Sequence, residues 1–144
     1  GWRVGWITHP EYLGEHIAKL VQISTTGVPE FIQKGFIEAL KNHEFLVEDV
    51  MKNLHASRDF VYNKMKNWTK LKINKPESAF YFFFKANDAK DSISFCKNLI
   101  KKTQVGLAPG VAFGKTGDNF LRLCFAADVK FLENILNRLE EEFN

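Results

Sequence analysis

The sequence has 144 residues, enough for one ordinary domain or for part of a larger one. Its formal net charge of +3 is too small to indicate a nucleic-acid partner, and we expect no membrane anchor because no apolar run has membrane-spanning length. Cys96 and Cys124 are the only cysteines and lack metal-ligand spacing, which predicts a cytoplasmic protein without a metal site.

Residues 1–7 alternate in the manner of a strand, with Trp2, Val4 and Trp6 on one face. Arg3 lies on the other face between Gly1 and Gly5, and glycine neighbours leave room for a bulky anion. The alternative is an edge strand whose arginine is simply solvated. The residues alone leave both possibilities open.

Three helices are predicted next. Thr8 is the expected N-cap of the first, with a capping box completed at Glu11, and residues 24–27 end it. Pro29 opens the second helix. Over residues 47–68 the apolar residues recur every three or four positions, which predicts one long amphipathic helix.

The rest of the chain mixes strands and helices. Aromatic residues over 79–84 predict a strand that is apolar on both faces, and Asp88 is expected to begin a helix. A glycine-hinged turn then feeds a strand over residues 119–125, and Asp128 caps a terminal helix.

Arg122 is the most informative residue of that last strand. Alternation places Leu121, Leu123 and Phe125 toward a core, and Phe120, Arg122 and Cys124 on the opposite face. An arginine among apolar side chains cannot be deeply buried without an anionic partner. The sequence places no acid beside Arg122 on that face. Only four of the 20 basic residues are arginines, and arginine binds carboxylate or phosphate through two parallel hydrogen bonds. Either a distant acid or a ligand is therefore expected at Arg122.

The predicted element order is β-α-α-long α-β-α-β-β-α, an α/β fold that ends in an α+β lobe. Residues 1–46 are too few for a core of their own, so we expect them to be the tail of a larger domain. Residues 47–144 would form the long interdomain helix and a small C-terminal domain. A first residue that is not methionine, followed at once by a strand-like pattern, suggests a piece of a longer chain.

A glycine-rich segment at residues 110–116 resembles a nucleotide-binding loop, and we reject that interpretation. The segment has one residue too few between its glycines. It also leads into a strand, so no helix N-terminus would face a phosphate.

Four motifs occur in order along the chain: Gly-Trp-Arg-Val-Gly-Trp at 1–6, Pro-x-x-Ala-Phe-Tyr-x-Phe at 76–83, Pro-Gly-x-x-Phe-Gly at 109–114 and Leu-Arg-Leu-x-Phe-Ala at 121–126. Together they resemble the C-terminal part of a fold-type I pyridoxal-phosphate-dependent aminotransferase, in the aspartate-aminotransferase-like class I/II. The resemblance implies the C-terminal domain of that fold plus the last strand and helices of the large domain. Ser78 departs from it, because the family usually has glycine there.

The resemblance also implies roles. Arg3 matches the arginine that binds the cofactor phosphate, and Arg122 matches the arginine that binds the substrate α-carboxylate. The parent would transfer an amino group between an amino acid and a 2-oxo acid through pyridoxal 5'-phosphate, and would be a homodimer. The family lysine that links to the cofactor is expected before residue 1. No catalytic residue is therefore assigned here, and we expect the chain alone to be inactive.

Two other functions remain open from the sequence. One is a β-lyase or synthase on the same pyridoxal-phosphate scaffold. The other is a non-catalytic, aminotransferase-like domain that binds an effector for a regulator. The residues alone leave anion binding at Arg122 and Arg3 open, and function has to be argued from such sites and not from the fold.

Overall fold

The computed structural model describes residues 1–144, and the chain divides into two compact units, Gly1–Glu48 and Asp49–Asn144. The division predicted between residues 46 and 47 concerns domains of a longer protein and stays a prediction. No helix combines the length and the apolar character that crossing a membrane requires.

The first unit consists of helices without a buried core. Helix α1 spans Gly14–Ser24, α2 spans Glu30–Lys41, and α3 (His43–Met65) begins here and continues into the second unit. No residue before 49 is buried. The apolar side chains of α1 and α2 are open to solvent, with Leu20 65% and Phe31 63% exposed.

The strand predicted over residues 1–7 is wrong. These residues have no regular secondary structure, because the unit holds no second strand to satisfy a ladder of backbone hydrogen bonds. The segment packs against α2 through the indole rings of Trp2 and Trp6. The ring of Trp2 lies edge-on to Phe31 at 5.6 Å between centroids, and that of Trp6 lies 5.5 Å from Phe36.

The predicted cap at Thr8 is also wrong. Pro10 is extended at ψ 147°, and a single 3₁₀ turn, Glu11–Leu13, precedes α1 without any side-chain cap. Proline disfavours helical geometry at the residue before it, here His9, so a helix cannot run from Thr8 through Pro10. The predicted end at residues 24–27 and the predicted start at Pro29 are confirmed.

The second unit contains a four-stranded antiparallel sheet in the order β1-β2-β4-β3. The strands are β1 (Leu71–Lys72), β2 (Tyr81–Ala86), β3 (Ala108–Pro109) and β4 (Phe120–Cys124). Helix α4 (Ser92–Thr103) follows β2, and α5 (Val129–Phe143) ends the chain. The mixed helix-and-sheet class is as predicted.

One face of the sheet packs against the helices. Phe82 and Phe84 of β2 and Leu121 and Leu123 of β4 are almost completely buried. They join a single core with residues of α3, α4 and α5, namely Val61, Met65, Cys96, Leu99, Leu132, Leu136, Leu139 and Phe143. Because all of the buried residues lie between 57 and 143, the second unit carries the hydrophobic stabilisation of the chain.

Two predicted element starts are displaced. Strand β2 begins at Tyr81, since Ala79 adopts a left-handed φ of 60° that a strand cannot continue. Helix α4 is capped by Asp91, whose carboxylate accepts from the amides of Ile93 and Ser94 at 3.1 Å, and not by Asp88. A turn that buries Ala89 takes up the intervening residues.

Helix α5 begins as predicted. The side chain of Asp128 accepts from the amide of Phe131 at 2.9 Å. Leu132, Leu136 and Leu139 are fully buried, whereas Phe131 is 57% exposed.

Two glycines fix the turn between β3 and β4. The turn consists of two short 3₁₀ segments, Gly110–Phe113 and Lys115–Gly117. A methyl group on Gly110 would overlap the carbonyl oxygen of Gly117 and would lie 2.6 Å from that of Phe120. The backbones are thus too close for any side chain, and this close approach positions Phe113.

Replacing Gly110 with alanine tests this close contact. We expect Gly110→Ala to destabilise the second unit by about 1 to 3 kcal/mol, because backbone atoms must move apart. The matched control is Gly106→Ala, where an added methyl meets nothing within 4 Å. Urea unfolding followed by circular dichroism measures both. Equal midpoints for the two variants would contradict the contact.

Candidate functional site

Arg122 lies at the centre of β4, on the face of the sheet that the helices leave open. It pairs with Phe83 of β2 on one side and with Ala108 of β3 on the other. Its neighbours on β4, Leu121 and Leu123, point to the core and are buried. The predicted assignment of faces is therefore confirmed, and Arg122 is half-buried on the side away from the core.

Two aromatic rings hold the guanidinium of Arg122. Its Cζ atom lies 4.3 Å from the centroid of the Tyr81 ring and 4.2 Å from that of Phe113. Both distances are within the range of cation–π contacts, which stabilise a cation by about 0.5 to 2 kcal/mol. Rings over the guanidinium leave its N–H donors, which lie in its own plane, free to bind a ligand.

No acid neutralises Arg122. It takes part in none of the six salt bridges of the chain and in no side-chain hydrogen bond. The distant acid that the sequence left open is therefore absent from this structure. A half-buried cation with unused donors is suited to binding an anion.

The aromatic contacts continue beyond the guanidinium. Phe113 lies edge-on to Phe83 at 6.0 Å, and Phe83 stacks on Phe120 at 5.1 Å with an interplanar angle of 6°. We call Phe113, Phe83 and Phe120 the aromatic row. Sequence reasoning placed Phe120 beside Arg122 but missed Tyr81 and Phe113. The register that brings Tyr81 and Phe83 of β2 to Arg122 was the missing information.

Arg3 belongs to the first unit and has a different setting. It is exposed, forms no salt bridge and adopts a left-handed φ of 60°. Residues 1–5 line an open, mostly polar concavity. A Cβ at Gly5 would meet no atom within 4 Å, so the space expected beside this arginine is present even though the strand is not.

Arg58 shows what an internally paired arginine looks like in this chain. Its Nε donates to Asp59 at 2.8 Å, and the Lys75 ammonium lies 2.8 Å from the same carboxylate oxygen. The hydrogen bond from Lys75, and then that from Arg58, lower the pKa of Asp59 to about 2. Arg58 is thus committed to an internal acid, in contrast to Arg122.

Comparison with known proteins gives the class. The model of the family "Aminotransferase class I and II" matches residues 1–139. The chain is 32% identical to a probable aspartate aminotransferase of Methanocaldococcus jannaschii over 99% of its own length and 39% of that protein. It is 30% identical to the aromatic-amino-acid aminotransferase 2 of Thermococcus litoralis, over 98% of the chain and 37% of that protein.

Solved structures agree. An aromatic aminotransferase from Pyrococcus horikoshii matches with a TM-score of 0.85 at 30% identity, covering 98% of this chain and 38% of that one. An aspartate aminotransferase from Thermotoga maritima matches with a TM-score of 0.80 at 30% identity, covering 98% and 36%. The chain therefore belongs to the class I and II aminotransferases, whose members depend on pyridoxal phosphate, and it spans 37–39% of the length of the curated relatives named above.

The Asp59 pairing generates a pH prediction. A carboxyl group whose pKa is lowered on folding, here from 3.8 to about 2, stabilises the fold above pH 3.8. That contribution is lost as the pH falls from 3.8 toward 2. We expect Asp59→Asn to lower the free energy of unfolding at pH 7. We also expect the free energy of unfolding of this variant to decrease less between pH 3.8 and about pH 2 than that of the unchanged chain.

Asp49→Asn, on the same helix, is the control because Asp49 forms no salt bridge. Denaturant unfolding at pH 7, 4 and 2.5 measures this, and identical pH profiles for both variants would contradict it.

Proposed function

We propose that this chain is part of an aminotransferase that moves an amino group between an amino acid and a 2-oxo acid. The observation that supports this best is the half-buried guanidinium of Arg122, aligned between two rings and without an internal acid. The substrates on both sides of such a reaction carry a carboxylate next to the reacting carbon. A planar guanidinium binds that group through two parallel hydrogen bonds.

In this proposal Arg122 binds and orients the substrate. The rings of Tyr81 and Phe113 restrict the guanidinium before the substrate arrives, so little side-chain entropy is lost on binding. Their apolar faces also exclude water from one side of the ion pair, which strengthens it. Two parallel hydrogen bonds from the guanidinium fix the direction of the bond from the carboxylate to the reacting carbon. Such orientation is a large part of catalysis.

Arg3 would hold the phosphate group of the cofactor. Its exposed guanidinium forms no salt bridge, and the glycine beside it leaves open space, so these residues fit a phosphate. When bound, pyridoxal phosphate supplies an electron sink for the carbon that carries the amino group. The lysine that would link to it is expected in a part of the protein before residue 1.

We also propose a cytoplasmic homodimer. Both cysteines are free, which is consistent with a reducing compartment such as the cytoplasm.

The homodimer is supported by the first unit, whose apolar helix faces, including Phe31 and Leu40, have no cover within it. Faces of this kind are typical of protein–protein or domain interfaces.

Replacing Arg122 with lysine tests the carboxylate contact. In the aminotransferase that contains this chain, Arg122→Lys keeps the charge but removes the planar guanidinium that can donate two parallel hydrogen bonds. We expect the transition state to lose about 2 kcal/mol of stabilisation, so that kcat/KM for amino acids falls about 30-fold. Arg138→Lys on the exposed side of α5 is the matched control. If Arg122→Lys leaves kcat/KM at the control value, the role is wrong.

Arg3 is tested by cofactor affinity. Arg3→Ala should weaken binding of pyridoxal phosphate by about tenfold, because one charge-assisted hydrogen-bonding partner of the phosphate is lost. Arg138→Ala serves as the control. Titration of the apoprotein, followed by cofactor absorbance, gives the dissociation constant. Unchanged affinity in Arg3→Ala would remove this residue from the site.

A further inference from the structure

We propose that Ser92 and Asp118 are positioning residues for Arg122 and act through the loop that carries Phe113. We call residues 110–118 the Phe113 loop. This inference rests on the proposed function, because it presumes that Arg122 binds the substrate carboxylate. It goes further by assigning a role to two polar residues that form no hydrogen bond with Arg122.

The Phe113 loop connects β3 to β4, and its middle part is held only at its two ends. Residues 112–116 are all exposed, whereas Gly110 and Gly117 are buried. The backbones of these two glycines cross in direct contact. Phe113, the member of the aromatic row that contacts the guanidinium of Arg122, is therefore positioned by whatever fixes the two ends.

The second end of the loop is fixed by backbone hydrogen bonds. The amide of Asn119 donates to the carbonyl of Ala89 at 2.9 Å, and the carbonyl of Asn119 accepts from the amide of Ala86 at 2.8 Å. Ala86 and Ala89 are themselves buried, so the chain just after the loop is attached to the core of the second unit.

The first end depends on the side chain of Ser92, the first residue of α4. Its hydroxyl accepts from the amide of Val111 at 3.3 Å and donates to Oδ1 of Asp118 at 3.2 Å. Val111 follows one of the crossing glycines and Asp118 follows the other, so a single hydroxyl joins both ends of the loop. Because Ser92 is completely buried, water does not compete for these bonds.

Asp118 sets the direction of that hydroxyl. A serine hydroxyl has one proton and two acceptor lone pairs. Oδ1 of Asp118 accepts the proton and also accepts from the amide of Ser92 at 3.4 Å, which leaves the lone pairs to the amide of Val111. Each distance is at the long end for a hydrogen bond, so we attribute the position of the loop to the three bonds together.

The position of the loop matters to Arg122 through Phe113. A ring held 4.2 Å from Cζ restricts the guanidinium and leaves its donors free for a carboxylate. Without the Ser92 hydroxyl, the loop would leave this position for part of the time. The substrate would then have to order the arginine side chain, and that cost is subtracted from the binding free energy.

The first measurement is NMR of the side-chain Nε–Hε resonance of Arg122 in the 144-residue chain, assigned by its loss in Arg122→Lys. An aromatic ring shifts the resonance of a proton beside it, so Phe113→Leu gives the position of the resonance without the loop ring. We expect Ser92→Ala and Asp118→Ala to move the resonance toward that position. Asp118→Asn should leave it in place, because a carboxamide oxygen accepts the same two hydrogen bonds.

Ser57→Ala is the matched control for lost stability. Ser57 is the other buried serine of the chain, and its hydroxyl donates to the carbonyl of Ala127 at 2.7 Å. We expect it to lower the midpoint of unfolding about as much as Ser92→Ala does, because each variant loses a buried hydroxyl, but not to move the Arg122 resonance. An equal displacement in both serine variants would show general loosening and overturn the positioning role.

The second measurement is a double-mutant cycle in the aminotransferase that contains this chain. We expect Ser92→Ala to lower kcat/KM for amino acids by about three- to tenfold, chiefly by raising KM, because the order lost at Arg122 is lost from binding. In a Phe113→Leu background, Ser92→Ala should have little further effect, since a residue that acts through Phe113 no longer has that ring to position.

The outcomes separate this inference from the proposed function. If Ser92→Ala and Asp118→Ala leave the Arg122 resonance unmoved, or if Ser92→Ala lowers kcat/KM equally in both backgrounds, the positioning role is wrong while the carboxylate role stands. If Ser92→Ala does not fold, Asp118→Ala and its rescue by Asp118→Asn decide the question. If Arg122→Lys leaves kcat/KM unchanged, the proposed function fails, and this inference fails with it.

Discussion

The register between β2 and β4 is the constraint on which the rest of the second unit depends. Phe82 faces Leu123 and Phe84 faces Leu121 on the core side, while Phe83 faces Arg122 on the open side. A shift of β4 by one residue would exchange its two faces, placing Arg122 in the core and Leu121 and Leu123 in water. Burial of a whole apolar face therefore fixes the position of the arginine, without any contact made by the arginine itself.

Once the register is fixed, the surroundings of Arg122 follow from its neighbours on adjacent strands. Tyr81 comes from β2, and Phe113 comes from the turn that the close approach at Gly110 holds in place. Rings suit this position better than an acid would. A carboxylate would occupy the donors of the guanidinium, as Asp59 does at Arg58, whereas a ring contacts its face. The cation is therefore stabilised and oriented with its donors still available.

The sequence predicts the faces of β4 well because alternation along one strand is a local property. It predicts the caps less well. Thr8 with Glu11 has the pattern of a capping box, yet Pro10 excludes the helix that the box would begin. At Asp88 the local pattern is equally acceptable as a cap, and burial of Ala89, a tertiary contact, moves the start to Asp91. The rings around Arg122 are also tertiary, since Tyr81 and Phe113 are 41 and 9 positions away in sequence. Spacing in one chain gives no register between strands, so these contacts required the structure.

The two proposed anion contacts differ in how much of their order exists before binding. Arg122 extends from the central part of a sheet and is restricted by two rings, so its guanidinium loses little freedom when a carboxylate arrives. Arg3 lies on an irregular segment, in a backbone conformation that is rare for residues other than glycine. Its side chain must be ordered by what it binds, or by protein groups outside its own unit. A phosphate with two negative charges compensates for that ordering better than a carboxylate with one. The proposed contact at Arg122 is therefore largely ordered before an anion binds, whereas the proposed contact at Arg3 would be ordered by binding.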